Sequence, residues 1–374
     1  MTCRSERKAV PNPMEATVDR SAVSSQIEQA FRKQAQKDDH VRNAYLLVHS
    51  DKLRVDLRVA EGETGSTPAN MQQPVHMASV GKLYTATIIS ILRERGQLAF
   101  SDRISAYLDE DLMSGLHVYE GTDYSDEIRI RHLLNQSSGL YDAFWPLMER
   151  MIEDPSLQLT PREATLWGKE HLEPKAKPGD KHHYTDTNYH LLGLIVESIT
   201  GRPFHEALHS LIFEPLDMGS AYMHGYSEPA VSPAYPPATL YLNGIEGLTV
   251  PGLAGIDYAG GGVMATLDDH LKFLQALVNQ RLITAETLQT MLDDDYPSYP
   301  TIRYGYAIWK FITIPLLMPA KYYCWGCTGV TGAFLFYHPL TEAYIIGSFG
   351  DSSYQAKALQ FMLRKIVRPL LKLT

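Results

Sequence analysis

The sequence predicts an α/β fold: one sheet assembled from both ends of the chain, with a helical region inserted between them. Three observations carry this. Short apolar runs bounded by turn signals lie near the N-terminus, in "NAYLLVHS" and "LRVDLRVA", separated by a turn-like "DK". Similar runs return after residue 300, in "YGYAIWKFI", "KYYCWG", "GAFLFYHP" and "AYIIGSFG". Between about 101 and 250 the pattern is helical, joined by loops containing proline and glycine.

Taken in order, residues 1–20 read as a leader, with no apolar segment that would make a secretory signal or a membrane span. "SSQIEQAFRKQAQ" places Ile27, Ala30, Phe31 and Ala35 on one face of a helix. A second helix begins at Ser79, repeats its apolar positions at Leu83, Tyr84, Ile88, Ile91 and Leu92, and stops at Gly96. "LLGLIVESITG" is another helix ending in glycine, and "QAKALQFMLRKIVRPLLK" closes the chain. The domain division that follows is 21–100 with 251–374 as the sheet-containing part and 101–250 as the helical part.

Composition narrows the function. The chain has 374 residues, 44% hydrophobic and 21% charged, as in ordinary globular proteins. A net charge of −9 and the lack of any long basic run argue against a nucleic-acid partner. "ITIPLLMPA" is apolar but too short to span a membrane. Three cysteines, Cys3, Cys324 and Cys327, cannot build a disulfide framework, which fits a reducing compartment and a cytoplasmic location.

The chemistry-bearing candidates are few. Ser79 and Lys82 stand three residues apart, so on a helix both project from one face. A serine hydroxyl needs a proton acceptor to become a nucleophile, and a lysine of lowered pKa is one. Spacing alone does not decide, because Ser5 and Lys8 share it in the leader and a serine N-cap before a solvated lysine has the same pattern. Tyr184 sits in the loop feeding the next helix, where an ammonium neighbour makes a phenol a better base; Tyr241-Leu242-Asn243 is a literal Y-x-N decoy. In "CWGCTGVTGAFLF", glycines punctuate a strand-like segment, and a backbone N–H just past Thr328-Gly329 is placed to pair with that of Ser79 around an oxyanion. Cys324 and Cys327 read as strand residues on opposite faces rather than a redox pair. His182, His183 and His190 read as polar surface or supporting groups rather than metal ligands, and His132 as a loop-ordering residue. No metal or organic cofactor is expected.

Six stretches follow one another in a familiar order: "MASVGKLYTATIISILRERGQLAFSDRISAYL", "IRHLLNQSSGL", "YTDTNYHLLGLIVESITG", "FEPLDMGSA", "AGGGVMATLDDHLKFLQALV" and "GCTGVTGAFLFYHP". Together, from about residue 40 to 350, the chain resembles the class C β-lactamase and DD-peptidase family of penicillin-recognising serine hydrolases, which includes esterases and amidases. The resemblance implies an antiparallel sheet flanked by helices plus an all-helical domain, with the site between them. It implies Ser79 as nucleophile, Lys82 as its proton partner, Tyr184 as the proton-moving phenol, and the N–H groups of Ser79 and Val330 as the oxyanion hole beside Thr328 and Gly329. Two positions depart from the family. Asp186 stands where many members have the asparagine of Tyr-x-Asn, and Cys327 replaces the lysine or histidine before Thr-Gly. A neutral thiol cannot hold a substrate carboxylate. The expected activity is therefore hydrolysis of a neutral ester or amide, ahead of β-lactamase or D-alanyl-D-alanine carboxypeptidase action; the alternative of another class is a non-catalytic scaffold retaining the fold.

Overall fold

In the computed structural model, residues 19–314 and 318–374 are described. The expected leader, Cys3 and the Ser5–Lys8 pair fall almost wholly outside them, as does the middle of "ITIPLLMPA". Among the described residues no helix is long and apolar enough to cross a membrane.

Nine strands form one antiparallel sheet, in the order Tyr296–Tyr299, Ile302–Tyr304, Trp309–Phe311, Trp325–Gly329, Ala333–His338, Ala343–Ser348, Asn43–Ser50, Val55–Thr64 and Thr67–Pro68. The N-terminal hairpin joins the C-terminal strands where Tyr45 faces Ser348 and His49 faces Tyr344. The expected sheet built from both chain ends is thus present. Asn43–Ser50 is buried at all but one position, so it carries near-continuous apolar sequence rather than alternation. The helix Arg20–Gln36 packs against this hairpin through Val23, Ile27, Phe31 and Ala35, and Leu267–Val278 packs on the central strands.

Two strands escaped the sequence reading. Tyr296–Tyr299 and Ile302–Tyr304 lie in "YPSYPTIRY", whose prolines argue against regular strands. Tyr296–Tyr299, which holds Pro297, is the sheet edge, where a missing N–H is tolerated, and Ile302–Tyr304 pairs inside it. "KYYCWG" also differs: Ala320–Tyr322 is a single helical turn, and the strand runs Trp325–Gly329. The last helix is continuous in direction but widens over Met362–Val367 before Pro369. A proline lacks the N–H and crowds the preceding turn, which a wider turn accommodates.

The helix carrying Lys82 runs Gly81–Glu94, and Ser79 lies in the tighter turn Ala78–Val80 just before it. Every residue from Gly81 to Leu92 is buried, so this is a central helix rather than an amphipathic one. Its polar members are satisfied locally: Thr85 donates to the Ala259 carbonyl, Thr87 to Leu83 and Ser90 to Ala86. Helices Thr187–Thr200 and Leu253–Gly261 pack on it. These two bring Tyr184, Asp186 and Gly260 to the end of the helix that holds Ser79.

Candidate active site

The turn bearing Ser79 is held under strain. Ala78 has φ of +49°, uncommon for a residue with a side chain. Its N–H donates to His76 Nδ1 at 3.1 Å, leaving the ring proton on Nε2, which faces Asp257 Oδ2 at 2.7 Å. Both partners are buried, so a rigid imidazole–carboxylate pair spans from this turn to the helix Leu253–Gly261. On the other side the strand end at Gly329 presses close: a Cβ there would sit 2.2 Å from the Met77 carbonyl oxygen. Only glycine lets this strand end approach the Ser79 turn so closely.

Lys82 is fully buried. Its Nζ donates to Ser79 Oγ at 3.1 Å, to the Gly260 carbonyl at 3.0 Å and to Asp186 Oδ1. The Tyr184 ring centroid lies 5.1 Å from Nζ and that of Tyr189 5.3 Å. Burial alone lowers the lysine's pKa, but the Asp186 carboxylate and the Tyr184 hydroxyl outweigh it, and the net shift is upward. The resting side chain is therefore an ammonium, not the low-pKa amine of the sequence-based expectation. For Tyr184, burial pushes the phenol up, and the pull of Lys82 and Ser79 only partly offsets this. It rests as a neutral hydroxyl.

Asp186 caps the helix Thr187–Thr200 in sequence position, but its side chain serves Lys82 instead of the helix N–H groups. Cys327 does not reach the cavity. Its thiol turns back to the Ser79 carbonyl oxygen at 3.2 Å, and burial pushes its pKa up to about 12. Thr328, Val330 and Thr331 line the cavity, as do Ser79, Tyr184 and Asp186. The N–H groups of Ser79 and Val330 find no backbone acceptor among the described residues. Tyr241 does not line the cavity, whereas its neighbours Leu240 and Leu242 do. The cavity measures about 390 Å³, a common size for a small-molecule site.

His182 and His183 form part of the wall, and burial lowers both pKa values, that of His182 to about 4. His190 is buried and donates to the Ile256 carbonyl at 2.6 Å. His132 Nδ1 accepts from the Arg129 N–H at 3.2 Å and closes a helix start.

Sequence reasoning missed Asp142, in "SSGLYDAFW". Its Oδ1 accepts from the Asp186 N–H at 3.0 Å and the Phe144 N–H at 3.4 Å. Burial, and then the Asp186 charge, raise its pKa from 3.8 to about 6. A lone polar residue between apolar neighbours is the sole signal the sequence offers for it. The folded state holds this proton more tightly than the unfolded chain, so its stabilisation is complete below pH 3.8 and lost as pH rises through about 6. Asp142→Asn, which keeps an acceptor for both N–H groups, is expected to flatten that loss. Above pH 7 the variant should be more stable than wild type by up to about 3 kcal/mol, measured by urea unfolding at pH 4.5 and 7.5. Parallel pH profiles for the two proteins would refute the assignment.

Comparison with known proteins identifies the family. The Beta-lactamase family model matches residues 27–347. A putative penicillin-binding protein, PbpX, of Bacillus subtilis (strain 168) is 26% identical over 58% of this chain and 49% of its own length. A D-aminopeptidase of Brucella anthropi is 27% identical over 56% of this chain and 37% of its own length. The chain thus spans about half or less of these relatives. Among solved structures, the D-amino acid amidase of Ochrobactrum anthropi SV3 superposes with a TM-score of 0.76 at 21% identity, over 94% of this chain and 98% of that one. The hydrolase EstCE1, described as having promiscuous acyltransferase activity, gives 0.72 at 18% identity, over 94% and 98%. Likeness at that identity speaks for the fold. With a family model covering most of its length and the same fold in these neighbours, the chain belongs to the Beta-lactamase family.

Proposed function

We propose that this protein is an acyl-serine hydrolase of esters or amides that are neutral at the scissile end. The observation that carries the reading is the buried Lys82 ammonium at 3.1 Å from a hydroxyl that opens on a cavity. Taking a charge out of water is expensive, and a scaffold has no use for it beside a nucleophile. No lysine or arginine lines the cavity among the described residues, so no cationic side chain there forms an ion pair with a substrate carboxylate. That favours neutral esters and amides over β-lactams and D-alanyl peptides, and the amidase and aminopeptidase names among the relatives favour the amide arm.

The chemistry follows from the protonation states. Ser79 Oγ attacks the carbonyl carbon and its proton passes to Lys82 as Lys82 gives one to the Asp186 carboxylate. The lysine stays an ammonium throughout, and the N–H groups of Ser79 and Val330 hold the oxyanion. The Tyr184 hydroxyl protonates the departing oxygen or nitrogen and recovers a proton from Asp186 through Lys82. Water repeats the sequence to release the acyl group. His76 and Asp257 are positioning residues that keep the strained turn in place. In this reading the site lies where the 101–250 region meets the part formed by 21–100 and 251–374. Two free, buried cysteines fit a cytoplasmic location.

The test is a panel of short-chain esters, D-amino-acid amides and β-lactams, run on wild type and Ser79→Ala with intact-mass detection of the acyl adduct. Ser79→Ala should lose roughly 10³-fold or more in kcat and all adduct. Unchanged turnover, or labelling of any other residue, would end the reading.

A further inference from the structure

A second hollow adjoins the first. It measures about 680 Å³ and shares Tyr299, Trp309, Thr328 and Gln355 with the active-site cavity, so the two adjoin at these side chains. Its walls are largely apolar, with Phe311 from the sheet and Leu359 and Leu363 from the C-terminal helix among them. At the junction Tyr299 stacks on Trp309 with ring centroids 5.8 Å apart, yet remains 59% exposed. Apolar surface of this extent beside a reactive centre marks a binding groove. Its charged lining among the described residues is of one sign: Arg364 and Arg368, four positions apart on the C-terminal helix, both line the groove and are exposed. The arginines that form ion pairs among the described residues are Arg32, Arg58, Arg162 and Arg303, and among those residues Arg364 and Arg368 have no carboxylate partner.

We propose that this groove is a substrate subsite for an alkyl chain ending in a carboxylate, the chain running from the scissile bond past Thr328 and its terminus meeting Arg364 and Arg368. The inference rests on the acyl-serine reading and extends it to a substrate class: amphiphilic esters or amides, neutral at the reacting carbonyl and anionic at the far end. The apolar walls reward each buried methylene, and a guanidinium pair suits a carboxylate in geometry as well as charge.

The experiment compares 4-nitrophenyl esters of straight-chain acids, from acetyl to decanoyl, with the matching ω-carboxy acids; a second series varies the alcohol half in the same way. In one half kcat/KM should rise roughly two- to fourfold per methylene over several methylenes. The ω-carboxylate should gain roughly five- to tenfold more at the longer lengths. Arg364→Ser with Arg368→Ser should erase the carboxylate gain while acetyl turnover and the plain-chain trend persist. Ala356→Trp, an exposed helix position lining the groove, should erase the length trend. A flat length dependence in both halves, or variants that change neither trend, would overturn the proposal. So would self-association of the wild type that Ala356→Trp abolishes, which would assign the groove to a second copy. Failure of the hydrolase reading is read separately, from acetyl turnover in wild type and Ser79→Ala. Should no ester be turned over, displacement of a fluorescent ω-carboxyalkyl probe, weakened by the double arginine variant or not, decides the groove independently.

Discussion

Lys82→Met is expected to lose roughly 10³-fold or more in kcat and, independently, about 3 kcal/mol of stability. The two losses have different origins. Without the ammonium no group hands the Ser79 proton onward, since Tyr184 is held neutral by burial. Without its positive charge, Asp186 is left as a largely buried carboxylate beside Asp142, and breaking one side of a buried pair costs far more than never having built it. A second substitution separates the effects. Lys82→Met with Asp186→Asn should recover most of the stability, because no uncompensated charge remains, and none of the activity. Urea unfolding and steady-state turnover on the wild type and both variants check this. An active Lys82→Met protein, or a double variant no more stable than the single, would contradict the electrostatic account.

Asp186→Asn restores the amide that many family members carry, and it should nonetheless cost roughly 10²-fold in kcat/KM near pH 7. The sign comes from what holds the lysine charged. Burial lowers the Lys82 pKa, and the carboxylate of Asp186 is the strongest influence opposing it. With the amide in its place, burial gains weight and the pKa falls. Below that lowered value the ammonium is present without an acceptor for its proton. Above it the neutral amine takes the Ser79 proton directly. The variant's kcat/KM should therefore climb with an alkaline limb that the wild type lacks. A variant within threefold of wild type at pH 7, with a superimposable pH profile, would show that the carboxylate plays no part in proton transfer.

Much of the fold was legible because it depends on local pattern. The helix read over 24–36, the strands read at 43–50 and 53–60 and the glycine stops at Gly96 and Gly201 each follow from periodicity or from a left-handed backbone position, with φ of +71° and +65° at the two glycines. The strands in "YPSYPTIRY" were not legible, since proline opposes a strand everywhere except where an edge excuses it, and being an edge is a property of the whole sheet. Asp142 was hidden for a related reason: it matters through its proximity to Asp186, forty-four positions along the chain.

What the sequence determined by itself is that Ser79 and Lys82 share one face at the head of a helix; the spacing left open whether they act together, since Ser5 and Lys8 have it too. It also determined that the sheet joins the two chain ends. Protonation was decided only in three dimensions. Lys82 is an ammonium, and Cys327 a thiol turned to the Ser79 carbonyl, because a pKa is set by burial and by charges within a few ångströms. Those neighbours, Asp186, Gly260 and Tyr184, come from segments more than one hundred residues distant, and only packing brings them there.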